Sequence, residues 1–432
     1  SSLGGGMYNW AYSSYQTISG GNSNYIYTGF VTIAGGHNHY AYGYTGTIGG
    51  GMYNSVYSSY GAVGGGMWNR VFGSYGAIHG GYYNWAYGSY NTMSGGSSHW
   101  AYGAAYVTII GGHNHYMYSY SGTVAGGMYG SVYGSYGTVG GGWYNHGHGT
   151  WSAINGGDHN YGSGTALVIG GGSYNYVYSS YSTIGGGSSN QIGPAYATIG
   201  GGLGNYVYAY AATVGGGAYC STYGYVGAVG GGMYNRAMGS YDFVAGGYAN
   251  YAYYQWTTIL GGRDNYSYGY VSSIGGGESS GVYNSYSTVN GGESNYIYTS
   301  HSMIGGGVGN YMFGYAASIN GGGYNTVYSS WSAINGGVYN RAGSSYQHVG
   351  GGSYNEIYGN SANVGGGMAN FIFTSYSSIN GGEGNYIYGY SASINGGNFN
   401  TAYSSWTSVG GGQYNQCSGT WSHIGGGFAN YV

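Results

Sequence analysis

A pair of glycines returns along this chain at a fixed interval, and the interval limits what the chain can become. The second Gly of the pair falls at Gly6, Gly21, Gly36, Gly51, Gly66, Gly81 and Gly96, then at Gly112, and every 15 residues from there to Gly427. One step, Gly96 to Gly112, spans 16 residues. Counted by this glycine there are 29 units, the last one truncated. A helical repeat needs two helices and roughly 30 residues or more. Glycine at this density also destabilises helix interiors. Two short strands and two turns do fit. No linker, charge run or composition shift interrupts the array. Residues 1–432 therefore read as a single continuous repeat domain: all-β, a β-solenoid (β-roll) of about 29 stacked 15-residue coils. The chain starts at Ser1 without an initiator Met or signal peptide and stops at Val432 in mid-pattern, so it reads as an excerpt or mature part of a longer chain.

Taking the second Gly as position 0, each unit has a constant grammar. Position 3 is Asn in most units, as in Asn9, Asn24, Asn54, Asn175, Asn205 and Asn400; the exceptions are His39, His99, His115, Gly130, Cys220 and Ser280. Position 12 is Ile or Val in every complete unit but the one with Met93, and includes Ile18, Ile33, Ile48, Ile184, Ile199 and Ile334. Position 5 is mostly Ala, Val or Ile. Aromatic residues often flank it at positions 4 and 6: Tyr25 and Tyr27, Tyr40 and Tyr42, Tyr206 and Tyr208, Tyr386 and Tyr388. This is period-two alternation, which turns position 5 inward and positions 4 and 6 outward. The second strand centres on position 12, with small residues at 11 and 13 outside it. The Gly-Gly pair supplies positive φ at one turn, and the Gly/Ser region near positions 7 and 8 makes the other. The inserted residue, Ala104 or Ala105, falls near that second turn.

A core of one Ile or Val facing one Ala, Val or Ile is thin. Burying such a side chain contributes about 1.5–3 kcal/mol, while ordering the backbone costs about 1–2 kcal/mol for each residue. Backbone ladders, stacked Asn side chains and contact with other chains must supply the rest. The position-3 Asn is accordingly read as a structural ladder that bonds turn backbone. A longer period overlies the first: Asn9-Trp10-Ala11-Tyr12 returns as Asn84-Trp85-Ala86-Tyr87, and His37-Asn38-His39-Tyr40 as His113-Asn114-His115-Tyr116. The lag is 75 residues, or 76 across the insertion, so five coils form a super-repeat. Duplication by whole coils is tolerated where each coil contacts only its neighbours.

Composition excludes several functions. Charged residues make up 3% of the chain, there is no Lys, and the four Arg are Arg70, Arg236, Arg263 and Arg341. No basic patch for nucleic acid can be built from these. One Pro, Pro194, excludes collagen. No apolar run reaches the ~20 residues of a membrane-spanning helix. Two Cys, Cys220 and Cys417, are not a disulfide framework. The Gly-Gly-Gly runs lack the Lys of a phosphate-binding loop. His37 with His39, His113 with His115, and His146 with His148 are weak candidates for a metal pair, since residues two apart on a strand share a face. No carboxylate or third His recurs with them, and replacement of the ladder Asn is the favoured reading. The acidic residues are scattered across different units. The expectation is no enzyme, no cofactor and no resident metal.

The motif Gly-Gly-x-x-Asn-x-Ala, then Gly or Ser, then Ser/Thr-Ile, resembles the head repeats of trimeric autotransporter adhesins and related repeats of bacterial and phage surface fibres. The clearest matches are Gly185-Gly186-Gly187-Ser188-Ser189-Asn190 and Gly396-Gly397-Asn398-Phe399-Asn400-Thr401-Ala402. The resemblance runs over essentially the whole chain, with Tyr at positions 4 and 6 where the family favours Ala and small residues. It implies a left-handed β-roll, trimeric, on an outer cell surface. From the residues themselves, Tyr ladders at positions 4 and 6 point to self-association, hence to a subunit of an extracellular or cell-surface fibre. The alternative is an adhesin rod whose Tyr face engages glycans or a host or mineral surface. A Thr column at position 11 (Thr17, Thr32, Thr47, Thr183, Thr198, Thr213) would suit ice, but Phe243, Met303 and His348 interrupt it.

Overall fold

The computed structural model describes residues 1–103 and 105–432. Of the two positions proposed for the inserted residue, Ala104 lies outside the described residues, whereas Ala105 forms a parallel bridge to Ser89. The chain divides into two compact units, Ser1–Gly217 and Ala218–Val432. Both are built from the same coil, about 28 coils in all. Among the described residues there is no helix.

Each coil carries two short strands, at positions 4–5 and 11–12. In the first unit Tyr25–Ile26 pairs in parallel with Tyr40–Ala41, and Thr32–Ile33 with Thr47–Ile48. In the second unit Tyr296–Ile297 pairs with Tyr311–Met312, and Met303–Ile304 with Ser318–Ile319. Within each unit, strand residues thus lie beside their equivalents one coil away. The strands donate to the following coil: the N–H of Tyr25 to the His39 carbonyl at 2.8 Å, that of Thr32 to the Gly46 carbonyl at 3.0 Å.

Between the strands the chain turns through the left-handed region at positions 2 and 9, with Ser23 at φ 57° and Phe30 at φ 58°. There the amides point backwards: Ser23 N–H donates to the Met7 carbonyl at 2.8 Å, and Tyr60 N–H to the Tyr44 carbonyl at 2.9 Å. Sequence reasoning assigned positive φ to the Gly-Gly turn alone; both turns require it, and non-glycine residues adopt it. Position 0 is different. At Gly187 φ is 86°, and a Cβ there would sit 2.1 Å from the carbonyl oxygen of Gly202 in the next coil. Conformation and close approach together restrict this position to glycine, which is why the second glycine of the pair never varies.

The core is wider than the two inward residues expected. Positions 3, 5, 10 and 12 are all buried. The position-12 residues Ile18, Ile33, Ile48, Ile184, Ile199 and Ile334 are each 0% exposed. Position 10 reads from the sequence only as a small residue, Ser, Ala or Gly in most units, yet Val31, Asn91, Leu167, Asp242 and Gln347 also occupy it and are buried. Their size answers to position 5 of the same coil. Gln16, Asn91, Leu167, Asp242 and Gln347 face Ala11, Ala86, Gly162, Ala237 and Ala342, whereas Val56, Val71 and Val132 face Gly61, Gly76 and Gly137. A Cβ on Gly61 would lie 2.7 Å from Val56 Cγ1, and one on Gly162 would lie 2.5 Å from Leu167 Cδ1. Ile26 with Val31 departs from this rule, and the small pair Ala41 and Gly46 follows in the next coil.

Candidate functional site: ladders inside and faces outside

The position-3 ladder satisfies three backbone groups at each rung. Asn190 Oδ1 accepts the amide of Asn205 at 3.0 Å, and its Nδ2 donates to the carbonyls of Gly186 and Gly202, each at 3.0 Å. The same pattern holds for Asn24, Asn54, Asn175 and Asn400, each fully buried, and for the half-buried Asn9 at the chain start. Asn205 is buried and donates to Gly201 and Gly217. Unsatisfied carbonyls buried in a core this narrow would cost about 1–3 kcal/mol each, so the ladder carries much of the fold.

Position 10 builds a second ladder on the same plan. Ser302 Oγ accepts the amide of Ala317 at 3.3 Å and donates to the Gly314 carbonyl at 2.9 Å. Gln347 donates to the Gly359 carbonyl at 2.8 Å. The Asp242 carboxylate accepts the amides of Gly239 at 2.7 Å and Thr257 at 2.9 Å; burial nonetheless pushes its pKa up. Positions 3 and 10 bond to equivalent partners seven residues apart. The coil is therefore an approximate two-fold of seven-residue halves, with one extra glycine at position 14.

His37 and His39 do not share a face, nor do His113 and His115, whereas His146 and His148 do, with ring centroids 6.3 Å apart. Asn38 lies between His37 and His39 at φ 55°, and Asn114 lies between His113 and His115 at φ 54°. This left-handed residue reverses the alternation, so His39 and His115 are fully buried while His37 and His113 remain at the surface. The buried rings take over the Asn role. His39 Nδ1 accepts the amide of Asn54 at 3.1 Å. His99 Nδ1 accepts that of His115 at 3.3 Å, and His115 Nδ1 that of Gly130 at 3.0 Å. His99 and His115 stack at 4.8 Å. Acceptance at Nδ1 requires the neutral tautomer with its proton on Nε2. In His39 that nitrogen faces the carbonyls of Gly35 and Gly51 without reaching a well-aligned bond. Burial lowers the pKa of His39 and His115 to about 4 and that of His99 to about 3. Among the described residues no three His, Cys, Asp or Glu side chains converge in a metal-ligating cluster.

Outside, the two sheets differ. On the first, position 6 is the exposed column: Tyr27, Tyr42, Tyr208 and Tyr388 are 37–48% exposed, while Tyr25, Tyr40, Tyr206 and Tyr386 at position 4 are half-buried. Aromatic rings occupy position 6 without a gap from Tyr12 to Tyr133. Neighbours stack nearly parallel, for example Tyr57 on Phe72 at 4.7 Å and 2°. Three of the four Arg lie at position 4, where Arg70 sits 5.0 Å over Trp85, Arg236 5.4 Å over Tyr251 and Arg341 4.6 Å over Tyr328. These cation–π contacts hold the charge against rings rather than projecting it. The second sheet presents small residues at 11 and 13. Thr32, Thr47 and Thr183 are exposed there.

Further aromatic columns line the turns at positions 2 and 9; Tyr or Trp recurs at position 9 in the unit's sequence, but its stacking into a column is not legible there. Tyr60, Tyr75 and Tyr90 stack at 4.7 and 4.9 Å, and Tyr53 stacks on Trp68 at 4.4 Å. Left-handed backbone costs a side-chain-bearing residue about 1–2 kcal/mol, and ring stacking returns about 0.5–1.5 kcal/mol, so the columns offset much of the strain of their own turns. The recurrence of Tyr or Trp three residues before the position-12 Ile or Val was the available signal.

No protein-family model matches the chain, and no curated protein matches it.

Proposed function

We propose that the protein is a structural subunit of an extracellular or cell-surface fibre that assembles through its aromatic sheet face. The observation that carries this reading is the uninterrupted position-6 column from Tyr12 to Tyr133, exposed at most rungs and half-exposed at Phe72 and Tyr87, on a surface that places no charged residue in it. Apolar area removed from water yields about 25 cal/mol per Å², and 3% charged residues provide little repulsion between copies. The likeness of the motif to adhesin and phage-fibre repeats supports a surface location and a trimer as the first assembly. An adhesin rod that stacks its Tyr column on glycan rings is the second reading; the same flat, regularly spaced rings support it. Ice binding would instead use the Thr column at position 11.

Replacing Tyr42, Tyr57 and Tyr87 by Glu places three charges in the column without touching the core. Light scattering and sedimentation should find the parent chain assembled and the triple variant dissociated at equal concentration. A parent chain that stays monomeric across the range would overturn the fibre reading and favour the glycan one.

A further inference from the structure

Chains that must be fastened covalently outside a cell use amines, thiols or phenols. This chain has no Lys, both of its Cys are buried, and it has 65 Tyr. Two Tyr pairs are held unusually well. Tyr27 and Tyr42 stack at 4.3 Å and 3°, and Tyr253 and Tyr268 at 4.3 Å and 6°. The backbone ladder sets the register beneath them, Tyr27 N–H to the Ala41 carbonyl at 3.0 Å and Tyr253 N–H to the Ser267 carbonyl at 2.8 Å. Tyr42 and Tyr268 are each 38% exposed, so a ring can swing out of the stack.

We propose that Tyr27 with Tyr42, and Tyr253 with Tyr268, are sites of oxidative coupling to dityrosine within one chain. The co-reactant is a one-electron oxidant, such as hydrogen peroxide acting through a haem peroxidase. Each phenol gives up one electron and its hydroxyl proton. The two phenoxyl radicals join through ring carbons ortho to oxygen, and as aromaticity returns each joined carbon loses its hydrogen while each oxygen regains one. The pair loses two hydrogen atoms in total, and one peroxide is reduced to two waters. Registered rings meet at a high effective concentration, so coupling between neighbouring coils outruns encounters between distant tyrosines. The product would staple consecutive coils, which in a thin-cored stack resists local opening.

The test uses the full chain at high dilution with a haem peroxidase and limiting peroxide, followed by elastase digestion and mass spectrometry. Peptides joined at Tyr27–Tyr42 and Tyr253–Tyr268, two hydrogens lighter than their sum, should dominate the early products. Their yield should exceed that from the urea-unfolded chain by about ten-fold. Tyr42→Phe keeps a ring in the stack and should abolish the first link while leaving the second. Links scattered over unrelated tyrosines, links mainly between chains, or equal yield in urea would each overturn the proposal. The readout lies within one chain, so it is independent of whether copies assemble.

Discussion

The informative residues are those that break the rule at position 3. His39, His99 and His115 perform the accepting half of the Asn role only while neutral, because a protonated imidazole has no acceptor at Nδ1. Burial lowers their pKa values to about 4, 3 and 4 from an ordinary 6.5. The unfolded chain therefore binds more protons than the folded one between pH 6.5 and about 4. In that window stability rises with pH. It is fully present above pH 6.5, falls as the pH drops below it, and is lost by about pH 3. Thermal melts of the parent chain should show this slope, steepest where His99 and His115 occupy adjacent rungs beside the surface imidazole of His113. An Asn-restored variant, His39→Asn with His99→Asn and His115→Asn, should flatten it. Asn190→His should keep the acceptor for the Asn205 amide at pH 8 and lose a further about 2–3 kcal/mol of stability at pH 4.5, whereas the cost of Asn190→Ala should be the same at both, since it leaves the Asn205 amide and the Gly186 carbonyl unpaired.

At the scale of the coil, size is conserved as a sum. Gly162 leaves room for Leu167, and Gly61 leaves room for Val56. Leu167→Ala should open a cavity and cost about 2–5 kcal/mol. Gly162→Val alone should overpack by about 1–3 kcal/mol, because its first carbon already meets Leu167 at 2.5 Å. The double variant rebuilds a large–small pair of the Val56–Gly61 kind and should recover most of the loss. Denaturant unfolding of the two singles and the double gives the coupling, expected at about 0.5–3 kcal/mol in the restoring direction. Additive losses would mean that positions 5 and 10 do not share space. The same ledger explains why Ala, Gly and Ile coexist at position 5 without any coil failing.

For the whole molecule, backbone pairing on both sides of nearly every residue governs access. A protease must draw several residues into an extended groove, and in each unit those residues already pair with the coils on either side. Arg70, Arg236 and Arg341 lie within strands, half-buried. Arg263, at position 1, has a side chain 62% exposed. Trypsin should leave the folded chain intact for hours, and any cut should come first after Arg263, giving fragments 1–263 and 264–432 on a denaturing gel. Chymotrypsin should act slowly despite its many sites, beginning at the most exposed turn tyrosines, Tyr8 and Tyr15 at the chain start and Tyr346 and Tyr376 in the second unit. Rapid cleavage spread across the strand tyrosines would contradict a continuous ladder in either unit.

The sequence alone determined the period, the strand at each end of it, the inward facing of Ile18 through Ile334 and the structural role of Asn24 and its equivalents. All of these follow from local constraints repeated often enough to stand out from noise. It showed position 10 only as a small residue and not as part of the core, because what recurs there is a volume relative to position 5 and a hydrogen-bonding slot that Ser, Asn, Asp and Gln can each fill. It also placed His37 and His39 on one face, since simple alternation holds only while φ stays negative, and Asn38 does not keep it so. The surface divided along the same line. The Tyr27 and Tyr42 column was legible as outward-facing, but the stacking of its rings, the partial burial of Tyr25 and Tyr40, and the aromatic turns at Tyr60 and Tyr75 depend on distances between coils. Residues 15 apart become neighbours only when the chain closes each coil onto the last. A linear sequence carries the periodicity of that closure, and the tertiary structure alone sets which side chains it brings into contact.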